Sequence, residues 1–434
     1  MKILIICTTF RPDTAIAAKR PFMFAKYLTE LGHSVTVIWS GQISKSIDKT
    51  FNADSFKFKV ISYTGGISLP TKKLSKRSLM FLPLPLSNLI FKIVHAVKIP
   101  LIVYKANKGK IRHFEMIKKV VDGFEPKSFD IVFSTYGGLA NVLAGKYAKE
   151  KLGCKWVQDF RDRIVQPGNR SWLWNIAFSK TEKHAYNEAD VITAVSDDLF
   201  NGTKYPKGKR KTIYNGYNRI LDTGNTPIRR ERDFSICYTG SIQGERLNSV
   251  KQLFEELKDM ANEKLIDLSR LKINFVGQEG AEFKKIAAQY GLEKTIINHG
   301  YLDLEATTNV QKGSDLFLVL SENTKKYQGI LTGKFYEGIR CGMPILSVIY
   351  GNMPNSELYR LNETYHYGFC YETCRSDRSN SFRKFFLPLY QSKVKHGKID
   401  FPLSQELRDK FEYKHLTEEL ETIFRNLISE NSAR

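Results

Sequence analysis

Acidic residues are scarce in this chain: 45 Asp and Glu stand against 67 Lys and Arg, a formal net charge of +22. An imbalance of that size fits an anionic partner, whether nucleic acid, a nucleotide-sugar or an anionic membrane face. Cysteine is sparse too. Cys7, Cys154, Cys237, Cys341, Cys370 and Cys374 stand singly, apart from the Cys-x3-Cys of the last two. No zinc or disulfide spacing emerges, so a reducing cytoplasmic compartment is expected. The strand pattern Ile3–Cys7 begins within a few residues of Met1 and lacks the longer apolar region and small-residue cleavage site of a signal peptide. No Gly-x-Gly-x-x-Gly fingerprint follows that strand, which argues against a nicotinamide dehydrogenase. Internal repeats and low-complexity tracts are also missing.

What is present is an ordinary soluble composition, 42% hydrophobic and 26% charged, over 434 residues. That length suffices for two domains, each with its own core. Short apolar runs at Ile3–Cys7, Val35–Trp39, Ile131–Phe133, Lys155–Gln158 and Val191–Ala194 read as strands covered on both faces. Helical patterns lie between them at Lys19–Leu31, Leu139–Lys151 and Trp172–Glu188, which gives a doubly wound α/β domain. A basic, poorly apolar stretch from Tyr205 to Asp233 reads as a linker, after which the alternation restarts. Strands are expected at Ser235–Tyr238, Lys272–Val276, Ile296–His299, Leu316–Leu320 and Ile345–Ile349, with helices including Leu247–Ala261 and Ala281–Tyr290. The expected fold class is therefore α/β, with two Rossmann-like domains whose parallel sheets leave a cleft between them.

The segment Gly329–Leu346 carries the most chemistry. It reads as a small-residue loop, a short helix, a Gly-Met-Pro turn and a buried strand. Thr332 and Gly333 fall in the first turn of that helix, where unpaired N–H groups and the helix dipole suit phosphate. Lys334 adds a mobile positive charge. Glu337, one turn on, is placed to accept hydrogen bonds from the vicinal hydroxyls of a ribose. Phosphate and ribose together point to a nucleotide.

This segment resembles the donor-site motif of family 4 glycosyltransferases, retaining enzymes of the GT-B fold. Glu337 matches the second of the family's two motif glutamates; Gly329 stands where the first would be. The family's first glutamate touches the donor sugar and the second the ribose. Tyr238–Arg246 resembles the family element that neutralises the donor diphosphate, with Gly240 in its loop, Arg246 at the second basic position and Ser241 at the first. The bland alternative for Arg246 is a solvated arginine at a helix start. By the same resemblance Gly277 and Tyr301, at the ends of second-domain strands, contact the base. His299 beside them reads as a packed strand-end residue. Trp156–Arg163 resembles an Asp-Phe-Arg-Asp variant of the family, which places Asp159, Arg161 and Asp162 towards the acceptor or the transferring sugar. Its alternative is an Asp–Arg network that orders the loop. Arg20 resembles a residue of the acceptor-side loop. Ala194–Asp198 and Tyr214–Tyr217 also match the family and are read as structural, the second marking the linker. The resemblance runs from residue 3 to about 346.

Ser68–Lys110 is a basic apolar insert that opens with Lys72, Lys73, Lys76 and Arg77. A spanning helix needs about 20 mostly apolar residues. Lys92, His95 and Lys98 interrupt the run, and Pro83, Pro85 and Pro100 are expected to break its geometry. The spacing of the three basic residues describes an interfacial helix on anionic lipid; the alternative is a helix that covers the first domain's sheet.

The domains expected are 1–215 on the acceptor side with the insert 68–110, 216–410 for the nucleotide-sugar, and a C-terminal helix within 411–434 that packs back on the first. The resemblance implies a retaining, metal-independent hexosyl- or N-acetylhexosaminyltransferase that needs no cofactor. Its partners would be a nucleotide-diphosphate sugar, UDP-linked for preference, and a sugar or lipid-linked acceptor in polysaccharide or lipopolysaccharide assembly. It would work in the cytoplasm at the inner face of the membrane, with no nucleic acid. Two other readings are a GT-B nucleotide-sugar epimerase and a non-enzymatic basic protein that binds membrane or nucleic acid. Against nucleic acid, the basic residues are dispersed and no aromatic stacking platform interleaves them.

Overall fold

The computed structural model describes residues 1–13, 15–43, 47, 56–65, 84–165, 172–218, 232–242, 244, 246–325, 327–329 and 331–432. Lys72, Lys73, Lys76, Arg77 and Pro83 lie outside these residues, as do the side chains of Lys92, His95 and Lys98. The chain separates into two units. The first comprises Met1–Val195, Gly202–Tyr214 and Leu416–Arg434; the second comprises Ser196–Asn201 and Asn215–His415.

In the first unit the chain runs β1 (Lys2–Ile6), α1 (Ile16–Glu30), β2 (Ser34–Trp39), β3 (Lys59–Ser62), α2 (Leu84–Asp122), β4 (Ile131–Tyr136), α3 (Leu139–Leu152), β5 (Lys155–Phe160), α4 (Trp172–Glu188), β6 (Val191–Ala194) and β7 (Arg210–Thr212). Its sheet has seven strands in the order β3-β2-β1-β4-β5-β6-β7, and every pairing is parallel. β1 and β4 are buried almost throughout. That is what helices on both faces require of strands reading Ile-Leu-Ile-Ile and Ile-Val-Phe. Two strands, β3 and β7, were not legible as apolar runs. β7 is Arg-Lys-Thr and falls inside the stretch read as linker; it is an edge strand, which needs no apolar face.

The helix α2 corrects the expectation for the insert. It runs unbroken for 39 residues, with Pro100 inside it and Pro85 in its first turn. Proline at a helix start loses no hydrogen bond that the helix would otherwise make. Pro100 is exposed, so water can satisfy the carbonyl it leaves unbonded. Ile117 and Val121 near the C-terminal end are buried. The Phe114 ring meets Tyr147 of α3 edge-on at 6.1 Å. One face of the C-terminal part of the helix is thus core, while its side chains from residue 100 to 112 are exposed or half-buried. Among the described residues no helix is long and apolar enough to cross a membrane.

The second unit runs β8 (Phe234–Thr239), α5 (Arg246–Asn262), β9 (Leu271–Val276), α6 (Gly280–Ala288), β10 (Ile296–Gly300), α7 (Leu304–Lys312), β11 (Leu316–Glu322), α8 (Gly333–Cys341), β12 (Ile345–Tyr350), α9 (Glu357–Tyr365), β13 (Gly368–Glu372), α10 (Arg378–His396) and α11 (Gln405–Lys410). Its six strands are ordered β10-β9-β8-β11-β12-β13; again all pairings are parallel. The core is rich in aromatic rings, with Phe234, Phe254, Phe275, Phe283, Phe382 and Phe386 all buried. The final helix α12 (Tyr413–Ser432) returns the chain to the first unit. There Phe424 packs on Phe133 of β4 at 6.0 Å and Glu421 accepts from His33 at 2.8 Å.

Both sheets have the doubly wound order: all strands run parallel, and the direction in which successive strands are added reverses between β1 and β4 and between β8 and β11. Ligands of such folds bind outside the carboxyl ends of the strands at that switch point. Thr239 ends β8 and Glu322 ends β11, and the loop after β11 leads into α8.

Candidate functional site

The site in the second unit is built around Glu337. It sits on α8, whose N-cap is Thr332. Lys334 Nζ donates to Glu337 Oε1 at 3.2 Å and Oε2 at 3.3 Å. The Thr239 hydroxyl, from the end of β8, donates to Oε2 at 3.1 Å, and Gln311 Nε2 of α7 donates to the same oxygen at 3.0 Å. Gln311 also bonds Thr239 at 3.2 Å and is itself oriented by Arg340, whose guanidinium donates to Gln311 Oε1 at 2.9 Å. Among the described residues, Oε2 of Glu337 is therefore fixed by two neutral donors and the ammonium, while Oε1 meets the ammonium alone. Among the described residues the enclosed Thr332 side-chain oxygen has no hydrogen-bond partner, and no acidic residue occupies the first turn of α8. The positive end of the helix is left uncompensated there.

Glycines bring the neighbouring loops close. The Gly277 N–H donates to Gly300 O at 2.8 Å and the Gly240 N–H to Val276 O at 2.7 Å. A Cβ on Gly277 would lie 2.3 Å from Gly240 O, so only glycine lets the loops after β8 and β9 meet. Lys334 lies against the Gly240 loop, its Cε 2.7 Å from where a Gly240 Cβ would be. The structure thus brings Gly240, Lys334 and Glu337 together. Ser241 is exposed; its carbonyl accepts from the Tyr238 hydroxyl at 2.6 Å. Burial pushes that hydroxyl up to about 12, and the positive charge of Arg246, the first residue of α5, pulls the other way. Tyr301 is exposed and is not among the side chains that bond Glu337, which are Thr239, Gln311 and Lys334 among the described residues. His299 donates or accepts at Asn274 Oδ1, 3.0 Å away, as a strand-end residue.

Gly329 has φ +71°, and a Cβ there would lie 2.6 Å from both Leu199 N and Ser196 Oγ. The turn it touches is held by Glu357. That carboxylate accepts from the Ser196 hydroxyl, from Asp197 N at 2.8 Å and from Asp198 N at 3.3 Å. Arg360 adds a 2.7 Å bond to Asp198 Oδ1. A small cavity beside Gly329 is lined by Glu322, Asn323, Leu331, Ser356 and Glu357.

In the first unit Arg20 and Asp159 form a sealed pair. Arg20 NH2 lies 2.7 Å from Asp159 Oδ1 and its Nε 3.1 Å from Oδ2. Thr193 donates to Oδ1 at 2.7 Å and Thr135 to Oδ2 at 2.9 Å. Arg20 also donates to Tyr214 O and Ile213 O, at 2.6 and 2.8 Å. Both residues are buried. Of the two readings of this segment, the ordering network is the one the geometry displays. Arg161 behaves similarly: it donates to Tyr136 O at 3.1 and 3.2 Å and to Ala17 O at 2.8 Å, and burial lowers its pKa. Asp162 stands exposed.

Sequence reasoning missed Gln311, Arg340 and Glu357. A glutamine inside a helix gives no motif; the one signal was Thr239, within Tyr238–Arg246. Among the described residues, Asp409, Glu412 and His415 bring three metal-capable atoms within 4.8 Å of one another; none of them belongs to the Glu337 cluster.

No family model and no curated protein matches this sequence. Solved structures do match along its length. Anabaena HepE, in complex with UDP and glucose, superposes with a TM-score of 0.58 at 14% identity, covering 98% of this chain and 100% of that one. The lipopolysaccharide outer core galactosyltransferase WaaB gives 0.53 at 13%, covering 98% and 100%. A candidate UDP-N-acetylglucosamine 2-epimerase of Listeria monocytogenes gives 0.51 at 12%, covering 99% and 97%. The two parallel sheets and these likenesses together define a GT-B fold.

Proposed function

We propose that this protein is a retaining glycosyltransferase. It moves a hexosyl or N-acetylhexosaminyl group from a nucleotide-diphosphate sugar, UDP-linked for preference, to a lipid-linked or glycan acceptor in cell-surface polysaccharide or lipopolysaccharide synthesis. The observation that carries this reading is the Glu337 cradle, set at the switch point of a Rossmann-like unit beside an uncompensated helix N-terminus. The UDP and glucose bound by HepE support the donor class, and WaaB supports the acceptor class.

In this scheme the ribose hydroxyls displace Lys334 from Glu337, and Thr239 and Gln311 keep the carboxylate aimed. Lys334 then turns to the diphosphate, alongside Arg246 and the N–H groups of Gly333 and Lys334. Negative charge grows on the departing diphosphate as the glycosidic bond breaks, and these fixed cations and dipoles stabilise it without a metal. The departing phosphate takes the proton of the acceptor hydroxyl on the same face, which retains the anomeric configuration. Asp159 and Arg161 order the acceptor-side loop rather than react.

Thermal melting with UDP-, GDP- and ADP-sugars tests the reading. One nucleotide class should raise the Tm by several degrees in a concentration-dependent way, and Arg246→Ala should remove the rise. A flat response to every donor would sink it. The fold shared with the Listeria protein favours a second reading, nucleotide-sugar epimerisation. Incubation with UDP-N-acetylglucosamine and no acceptor separates the two: a new sugar nucleotide in the NMR spectrum means epimerase.

A further inference from the structure

From Ser55 to Phe114 the sequence contains no aspartate or glutamate but twelve lysines and arginines. The structure shows where part of that charge goes. Leu101, Tyr104, Lys105, Lys108, Ile111 and Arg112 recur at three- and four-residue steps along α2, so they form one stripe. The opposite face of the same helix turns inward through Ile117 and Val121. Tyr104, Leu101 and Ile111 are 63%, 49% and 51% exposed, and Ile102 beside them is 53% exposed. Large apolar side chains rarely gather on an open helix face without a use.

The neighbouring helix continues the pattern. Lys110 lies over the Phe178 ring at 5.5 Å, which packs α2 against α4. On α4, Trp172 and Ile176 are 69% and 66% exposed, one turn apart on the same side. Among the described residues no carboxylate pairs with Lys105, Lys108 or Arg112. A protein partner of ordinary composition would have to supply several acids against such a face. An anionic bilayer supplies them as headgroups, with an apolar layer directly beneath for the aliphatic and aromatic side chains.

We infer that the outward face of α2 from Leu101 to Arg112, with Trp172 and Ile176 of α4, is a docking surface for an anionic lipid bilayer. The cations meet the headgroups; Trp172, Ile176, Leu101 and Tyr104 enter the interface. This goes beyond the insert reading, which rested on Lys92, His95 and Lys98 and on the flanking basic residues Lys72, Lys73, Lys76 and Arg77, and it stands apart from the donor-site reading.

The test is sedimentation of the full chain, without nucleotide, with phosphatidylcholine vesicles that either contain or lack phosphatidylglycerol. The protein should bind only the anionic vesicles, and less at higher salt. Lys105→Gln, Lys108→Gln and Arg112→Gln together should weaken binding on the order of 100-fold. Trp172→Ala with Ile176→Ser should weaken it several-fold and remove the quenching of tryptophan fluorescence by brominated lipid. Unchanged melting temperatures show that the variants are folded, as expected for exposed positions. Equal binding to neutral vesicles, undiminished binding of the triple variant, or no binding at all would overturn the inference. So would a wild-type dimer dissolved by the Trp172 and Ile176 changes with vesicle binding untouched, because the face would then join two copies of this chain.

Discussion

Two ion pairs, one in each unit, use the same chemistry to opposite ends. Arg20 and Asp159 have side chains 2% and 0% exposed, and both carboxylate oxygens are taken up by Arg20, Thr135 and Thr193. Lys334 and Glu337 are 24% and 30% exposed, and their contact is longer, at 3.2 Å. A buried pair whose every acceptor is filled has nothing left to offer a ligand, and removing either partner strands a charge away from water. A half-exposed pair between residues three apart on one helix contributes little to stability and exchanges readily for another partner. Proximity of an acid and a base is therefore not the mark of a binding site; an acceptor left poorly satisfied is.

Four changes would break or sharpen that contrast. The largest effect should come from Asp159→Ala, which leaves the Arg20 guanidinium buried without its partner. We expect a loss of about 3–5 kcal/mol, read as a lower urea midpoint at unchanged slope. A loss below about 1 kcal/mol would show that the pair is not structural. Glu337→Gln should leave the melting curve nearly in place while donor affinity falls about 10- to 100-fold, the range of a lost charge-assisted hydrogen bond. Wild-type kinetics would remove Glu337 from the site. Lys334→Ala should cost under about 1 kcal/mol of stability and flatten the salt dependence of nucleotide binding.

The smallest effect concerns Glu357, a carboxylate buried like Asp159 but held by a hydroxyl and backbone N–H groups. Burial raises its pKa above 4.5, while Ser196 and the Asp197 N–H pull it down. A carboxyl raised by folding holds its proton more tightly in the native state. Its contribution is full below pH 4.5 and fades as pH rises through the raised value. The stability gap between wild type and Glu357→Gln should therefore narrow over that window in a urea series. A gap that widens with pH would show that ionisation is favoured by folding.

Much of the fold was legible because buried parallel strands are written as unbroken apolar runs, and all ten such runs became strands. β7 and β3 were missed because an edge strand needs no such run; β13, Gly-Phe-Cys-Tyr-Glu, sits where no motif drew attention. In the site, Thr332, Gly333, Lys334 and Glu337 were legible because one helix carries them. Gln311 was not, since its partner Glu337 is 26 residues away. Arg20 and Asp159 were each singled out, yet nothing in the order of residues joins positions 139 apart. Both were read towards an acceptor, whereas the structure spends them on each other. Local motifs reveal which residues carry charge; only the fold reveals which of those charges is already spent.

Gly329 constrains which substitutions the chain can accept. Two of the four glycine codons lie a single base from a glutamate codon, and the other two need a second change. At φ +71°, with the Ser196–Leu199 turn 2.6 Å from any added Cβ, that step costs about 1–2 kcal/mol in backbone strain before the collision is counted. The turn would have to move first, and Glu357 holds it. A glutamate can therefore enter at this place only by a fixed order of changes, the turn before the residue.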